Sequence, residues 1–205
     1  MSEEHGNGKD RHQLKRHTRW SSPGPGRRGR LRTGWLVPPV RRSQGPRGLV
    51  ARETAEALGA EALLLGRRSS EWFASRMLAR DGADVRVSRE WADRVKSIPK
   101  YVVASALEDP QWSNAAVLSG DAVKEISELK QKADGEILVY GSYQLVRLLI
   151  EQNLADELRL VVFPVVLGTG LRIFGETSDK KPLHLVSTRK IGDGLVFCTY
   201  EFVQG

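Results

Sequence analysis

Residues 51–205 read as an α/β domain with a mostly parallel central sheet, flanking helices and a C-terminal antiparallel hairpin. Three observations predict it. Short apolar runs, at 62–65, 100–104, 116–118 and 136–140, alternate with stretches whose apolar residues recur at helical spacing. The first and last of these runs end in a glycine and pass at once into a helix start. From Leu183 to Val203 the chain alternates like antiparallel strands around Gly192-Asp193-Gly194, which has the composition of a hairpin turn.

Each element has its own signal. Glu53 to Ala60 suits a short helix that ends near Gly59. Ala62-Leu63-Leu64-Leu65, closed by Gly66, is short and wholly apolar, as a buried strand is. Ser69 or Ser70 is placed to cap the next helix, which carries Trp72, Phe73, Arg76 and Met77. Ser88 and Trp91 open another helix that runs to Ser97 before Pro99. Lys100 to Ala104 is a strand closed by Ser105, Glu108-Asp109-Pro110 is a turn, and Ala116-Val117-Leu118 is a third strand. Asp121 caps a helix to Lys132, with Val123, Ile126 and Leu129 on one face. Glu136 to Tyr140 is the fourth strand, Ser142 caps a helix to Gln152, and Glu157 to Val166 is a fifth strand interrupted by Pro164.

Residues 1–50 read differently, as a disordered basic tail. They hold twelve Lys/Arg and three Asp/Glu, leaving twenty basic and twenty-two acidic side chains in residues 51–205. The net charge of +7 therefore belongs to the tail, and the near-neutral domain gives no electrostatic case for nucleic acid. Eight Gly and five Pro in these fifty residues leave little to bury against the entropy of ordering. No apolar run approaches the ~20 residues of a membrane helix, and no apolar segment of an export signal follows the basic stretch. The lone cysteine, Cys198, fits a reducing compartment, so a cytoplasmic location is expected.

The chemistry-bearing residues sit at strand ends, where open α/β sheets collect ligands. At Val139-Tyr140-Gly141-Ser142-Tyr143-Gln144-Leu145 a strand meets a helix through glycine, and the helix N-terminus offers free N–H groups to a phosphate. A plain capped turn has the same sequence shape. Leu63-Leu64-Leu65-Gly66-Arg67-Arg68-Ser69 repeats the arrangement and adds two guanidinium groups suited to a pyrophosphate or a ribose phosphate, though solvated surface arginines look alike. Ser105 closes a third strand. The G-x-G-x-x-G fingerprint is absent, and Gly168-Thr169-Gly170 reads as a turn. With His184 the only histidine after residue 50, and Cys198 inside an apolar run, no metal site and no nucleophile are expected.

The blocks LLLGRRSSEWF, PKYVVAS with LEDPQW, GEILVYGSYQLVRLLI and LADELRLVVFPVVLGTGLRIF, with the closing hairpin, occur in an order that resembles the dihydrofolate reductase-like family. The similarity is to the branch containing the C-terminal reductase domain of the bifunctional riboflavin-biosynthesis enzyme and its stand-alone bacterial relatives. It spans nearly all of residues 51–205. The resemblance implies that Gly66, Arg67, Arg68 and Ser69 contact the phosphates of NADPH. It also implies that Ser105 lies near the adenosine ribose phosphate, and that Gly141 and Ser142, followed by Tyr143, Gln144 and Leu145, underlie the diphosphate. Phe163 to Gly170 matches the branch's F-P-V-V-L-G-x-G segment, which lies toward the substrate. The family's opening strand, V-x-x-S-L-D-G, has no counterpart in residues 1–50, so the cofactor sites are expected intact and the reaction centre incomplete, with no general acid assignable.

The function so implied is NADPH-dependent reduction of a small heterocycle, similar to the 5-amino-6-(5-phosphoribosylamino)uracil reductase of riboflavin biosynthesis, by a homodimer. The alternative is a catalytically degenerate dinucleotide-binding domain whose basic tail contacts an acidic partner or nucleic acid. Binding driven by the tail would weaken steeply with salt.

Overall fold

The computed structural model describes residues 29–34, 47–78, 88–106, 110–166, 168–192 and 194–203. The chain opens with strand β1 (Arg30–Gly34) and helix α1 (Arg47–Gly59), then β2 (Ala60–Gly66), α2 (Arg67–Met77) and α3 (Arg89–Ser97). Next come β3 (Lys100–Val103), β4 (Ala115–Leu118), α4 (Ala122–Lys132), β5 (Glu136–Tyr140) and α5 (Tyr143–Glu151), followed by β6 (Glu157–Val162), β7 (Leu183–Ile191) and β8 (Leu195–Phe202). One eight-stranded sheet runs in the order β4-β3-β2-β5-β1-β6-β8-β7. All pairings up to β6 are parallel, and β8 pairs antiparallel with both β6 and β7. This is the fold class the sequence predicts.

Parallel strands need crossovers, so helices cover both faces of the sheet and its strands are apolar on both sides. Leu63, Leu65, Leu138 and Tyr140 face α1, α2 and α3, where Phe73, Trp91 and Tyr140 meet at ring-centroid distances of 6.1–6.2 Å. Leu31, Leu64, Ile137 and Val139 face α4 and α5, packing on Ile126, Val146 and Leu149. The expected caps at Ser88 and Asp121 are present: Ser88 Oγ accepts from Trp91 N (3.0 Å), and Asp121 Oδ1 accepts from Val123 N (2.9 Å) and Lys124 N (3.1 Å).

Several expectations need correction. The domain boundary at residue 51 is too late, because α1 begins at Arg47 and residues 30–34 form a strand. That strand takes the central position between β5 and β6 for which no candidate was visible in residues 1–50. It is held by charge as much as by apolar burial. Leu31 is fully buried, whereas Arg30 reaches Glu201 (3.0 Å), and Arg32 reaches Glu136 (2.7 Å) and Glu157 (3.6 Å). Asp156 completes the seat: its carboxylate accepts from Leu31 N at 2.6 Å and its own N–H donates to Leu31 O at 3.0 Å. Gly29 lets the strand enter, since a Cβ there would lie 2.7 Å from that of Ala133. The second helix starts at Arg67 directly after Gly66, so neither Ser69 nor Ser70 is its cap. The fifth expected strand ends at Val162, before Pro164. The remainder of the expected tail (1–28 and 35–46), most of the turn near 108 (107–109) and Asp193 lie outside the described residues.

Candidate dinucleotide cleft

At the carboxyl ends of β2, β3 and β5 the sheet opens into a cleft of about 680 Å³. Gly66, Arg67, Arg68 and Ser69 line it from the start of α2, Ser105 from the end of β3, and Ser142, Tyr143, Gln144 and Leu145 from the start of α5. Nine of the ten residues singled out in the sequence thus share one cavity. The tenth, Gly141, stands behind the lining with φ +60°, where a side chain would be strained and would point at Ser69 Oγ, 3.8 Å away.

The turn into α5 is unusually tight. Gly141 and Ser142 are consecutive left-handed residues, and Ser142 has φ 55° and ψ 55°. A left-handed non-glycine residue costs about 1–2 kcal/mol. Here the serine hydroxyl bridges two helices: Gly66 N donates to Ser142 Oγ (2.9 Å), and Ser142 Oγ donates to Ser69 Oγ (2.6 Å). This corrects the expected role of Ser142. It begins α5 but caps it with no side-chain hydrogen bond, and its hydroxyl is engaged within the protein.

Neither α2 nor α5 has a side-chain cap or an acidic residue in its first turn. Their first N–H groups and the positive ends of both helix dipoles are therefore left facing one cavity. Arg67 and Arg68 add positive charge at its mouth. Arg67 makes only a loose 3.9 Å pair with Glu71, both side chains about half exposed, so little holds it back from an anion. Uncapped helix starts, glycine at the closest approach and guanidinium groups alongside form a donor set that fits the phosphates of a dinucleotide.

Sequence reading missed the residues behind the cleft floor. Tyr140, the last residue of β5, is fully buried; it accepts from Trp91 Nε1 (3.4 Å) and donates to Glu53 O on α1 (3.3 Å). Burial pushes its phenol far above the usual range, so it stays neutral. Glu53 is itself mostly buried, and burial, reinforced by Glu56, raises its carboxyl to about 7. Beside it, Glu56 lies between Arg159 (2.9 Å) and Arg52 (3.3 Å), and Arg159 also holds Glu157. Burial opposes the Arg159 charge, yet Glu56 and Glu157 hold it above its ordinary value. Tyr140 lies 87 residues from Glu53, and Arg159 lies about as far from Glu56, so no local pattern announces these two contacts.

No group of three or more His, Cys, Asp or Glu among the described residues is placed to hold a metal ion. Cys198 is buried in β8 and His184 is exposed on β7. Among the described residues no helix is long and apolar enough to cross a membrane.

A family model described as the RibD C-terminal domain matches residues 43–197. Over 142 residues the chain is 28% identical to the uncharacterized protein YyaP of Bacillus subtilis, covering 69% of this chain and 74% of that protein. Among solved structures it is similar to a dihydrofolate reductase of Enterococcus faecalis complexed with NADP(H), with TM-score 0.55, 17% identity, and 87% and 99% of the two chains covered. It is also similar to a diaminohydroxyphosphoribosylaminopyrimidine deaminase/5-amino-6-(5-phosphoribosylamino)uracil reductase of Thermotoga maritima, with TM-score 0.55 and 14% identity, covering 86% of this chain and 57% of that one. At these identities the two structures speak for the fold alone.

Proposed function

The chain belongs to the RibD C-terminal domain family, and from that premise we propose that it is an NADPH-dependent reductase of a small heterocyclic substrate. A ribosylaminopyrimidine like the one named for the Thermotoga maritima relative is the substrate we infer. The observation that carries the reading is the convergence of two uncapped helix N-termini and two arginines on one cleft at the carboxyl end of the sheet.

In this reading the N–H groups opening α2 and α5 bind the diphosphate, and Arg67 and Arg68 grip the ribose phosphate. Ser105 and Gln144 border the adenosine side. Ser142 and Ser69 hold the two helix starts at a fixed separation, and Gly141 keeps the floor low. NADPH supplies the hydride when bound. We further propose a homodimer, since Val162, Val165, Val166 and Leu171 near the end of β6 are exposed.

The test is an NADPH titration followed by nicotinamide fluorescence, for the parent and an Arg67→Ala/Arg68→Ala variant. Saturable binding that the variant weakens at least about tenfold, with a shallower salt dependence, supports the assignment. Absence of saturable binding to the parent would remove it.

A further inference from the structure

One stripe of α5 connects the cleft to a distant part of the chain. Tyr143, Arg147 and Glu151 follow one another at intervals of four, which stacks them along a single helical face. Tyr143 lines the cleft. The Arg147 guanidinium lies 5.4 Å from the centroid of the Tyr143 ring. The same guanidinium donates to two successive main-chain carbonyls of the segment joining β6 to β7, Arg172 O and Ile173 O. Gly175 passes so close that a Cβ there would touch the Arg147 side chain at 3.4 Å. One turn further on, Glu151 accepts from Ser178 N (3.1 Å), and Lys181 Nζ returns to Glu151 O (2.9 Å).

The segment from 172 to 181 contains no helix or strand and is fastened to α5 by side chains of this stripe. Arg147 is the member that touches both ends: the face of a cleft-lining ring and the backbone of the segment. One guanidinium thus serves both contacts at once.

On the reading that the cleft binds a dinucleotide, we propose that Arg147 is a positioning residue that couples filling of the cleft to the hold on residues 172–175. A ligand against Tyr143 fixes the ring, the fixed ring fixes the guanidinium, and the guanidinium holds the two carbonyls. Leu171 and Phe174, both exposed, ride on the segment so held. Linkage makes the effect reciprocal: loosening of the segment that acts through Arg147 weakens the dinucleotide by the same factor.

The experiment is limited trypsin digestion of the full chain with and without saturating NADPH, scored by mass spectrometry at the bond after Arg172. In the parent, NADPH slows this cleavage by about fivefold or more, the lower end of ordinary coupling. In Arg147→Gln the ratio falls to near one while NADPH still binds saturably; Arg147→Lys, which keeps the charge but not the fork, lies between. Glu151→Gln speeds cleavage in both states and leaves the ratio unchanged, as loosening outside the coupling should. Equal protection in the parent and Arg147→Gln overturns the proposal, as does saturable binding to the parent without protection. No NADPH binding at all overturns the dinucleotide reading itself, and the coupling falls with it.

Discussion

Replacing Ser142 separates two effects that the structure puts on one residue. Ser142→Ala deletes the hydroxyl that accepts Gly66 N–H at 2.9 Å and donates to Ser69 Oγ at 2.6 Å. A half-buried N–H left without its acceptor costs roughly 1–2 kcal/mol, and the orphaned Ser69 hydroxyl adds about 0.5 kcal/mol. Alanine keeps the left-handed penalty, so the loss should be about 2 kcal/mol. Ser142→Gly loses the same hydrogen bonds, but glycine adopts φ 55° without strain and recovers about 1 kcal/mol. Urea denaturation should therefore rank the parent above Ser142→Gly and Ser142→Ala last, with melting temperatures falling by about 2–4 °C per kcal/mol. Both variants free the two helix starts to drift apart, so both should weaken NADPH binding by a similar factor, about tenfold. A Ser142→Ala variant within about 0.5 kcal/mol of the parent, or a glycine variant less stable than the alanine one, would refute this reasoning.

Three further outcomes follow from the same geometry. Burial raises Glu53 to about 7, above its ordinary 4.5, so the fold keeps a proton that the unfolded chain releases. The stability this gives is full below about pH 4.5 and lost as pH climbs to about 7. Glu53→Gln should flatten that window and stabilise the chain at pH 8 by about 1–3 kcal/mol; a parent whose stability does not fall across the window contradicts the burial argument. Gly29→Ala forces its Cβ to within 2.7 Å of Ala133, and a loss of about 1–3 kcal/mol in urea is expected. Arg32→Glu sets a third carboxylate between Glu136 and Glu157, so it should cost about 3–5 kcal/mol, and a change under about 1 kcal/mol would mean that β1 is not seated there.

The parts of the fold legible in the sequence are those with local causes. Apolar strands closed by glycine, caps at Ser88 and Asp121, and period-two alternation from 183 to 203 each carry their reason within a few residues. The cleft was legible for the same reason, because Gly66 and Gly141 mark the two junctions themselves. β1 was not. Arg30-Leu31-Arg32 shows one apolar side chain, and its arginines become comfortable only through Glu136, Glu157 and Glu201, each more than a hundred positions away. The start of α1 was hidden likewise, because its apolar anchor Leu49 packs on Ile191 and Phe197 from the far end of the chain. Ser142 was found as a residue but given the wrong partner, since a hydroxyl at a helix start signals a cap and nothing nearby reveals Gly66 across the cleft.

An open sheet has two borders, and this one treats them differently. β4 ends the sheet with only four residues, too short to template much pairing. β7 ends it with nine, eight of them exposed, which is the kind of border that recruits strands from other molecules. Its sequence answers that hazard: Arg189 and Lys190 stud the strand, and a register shift between Leu185 and Ser187 breaks its flatness. Neutralising those cations would leave a long, nearly uncharged edge beside Leu183, Leu185 and Val186. The few charges on β7 thus bear on whether the protein stays dispersed when concentrated, a duty separate from anything at the cleft.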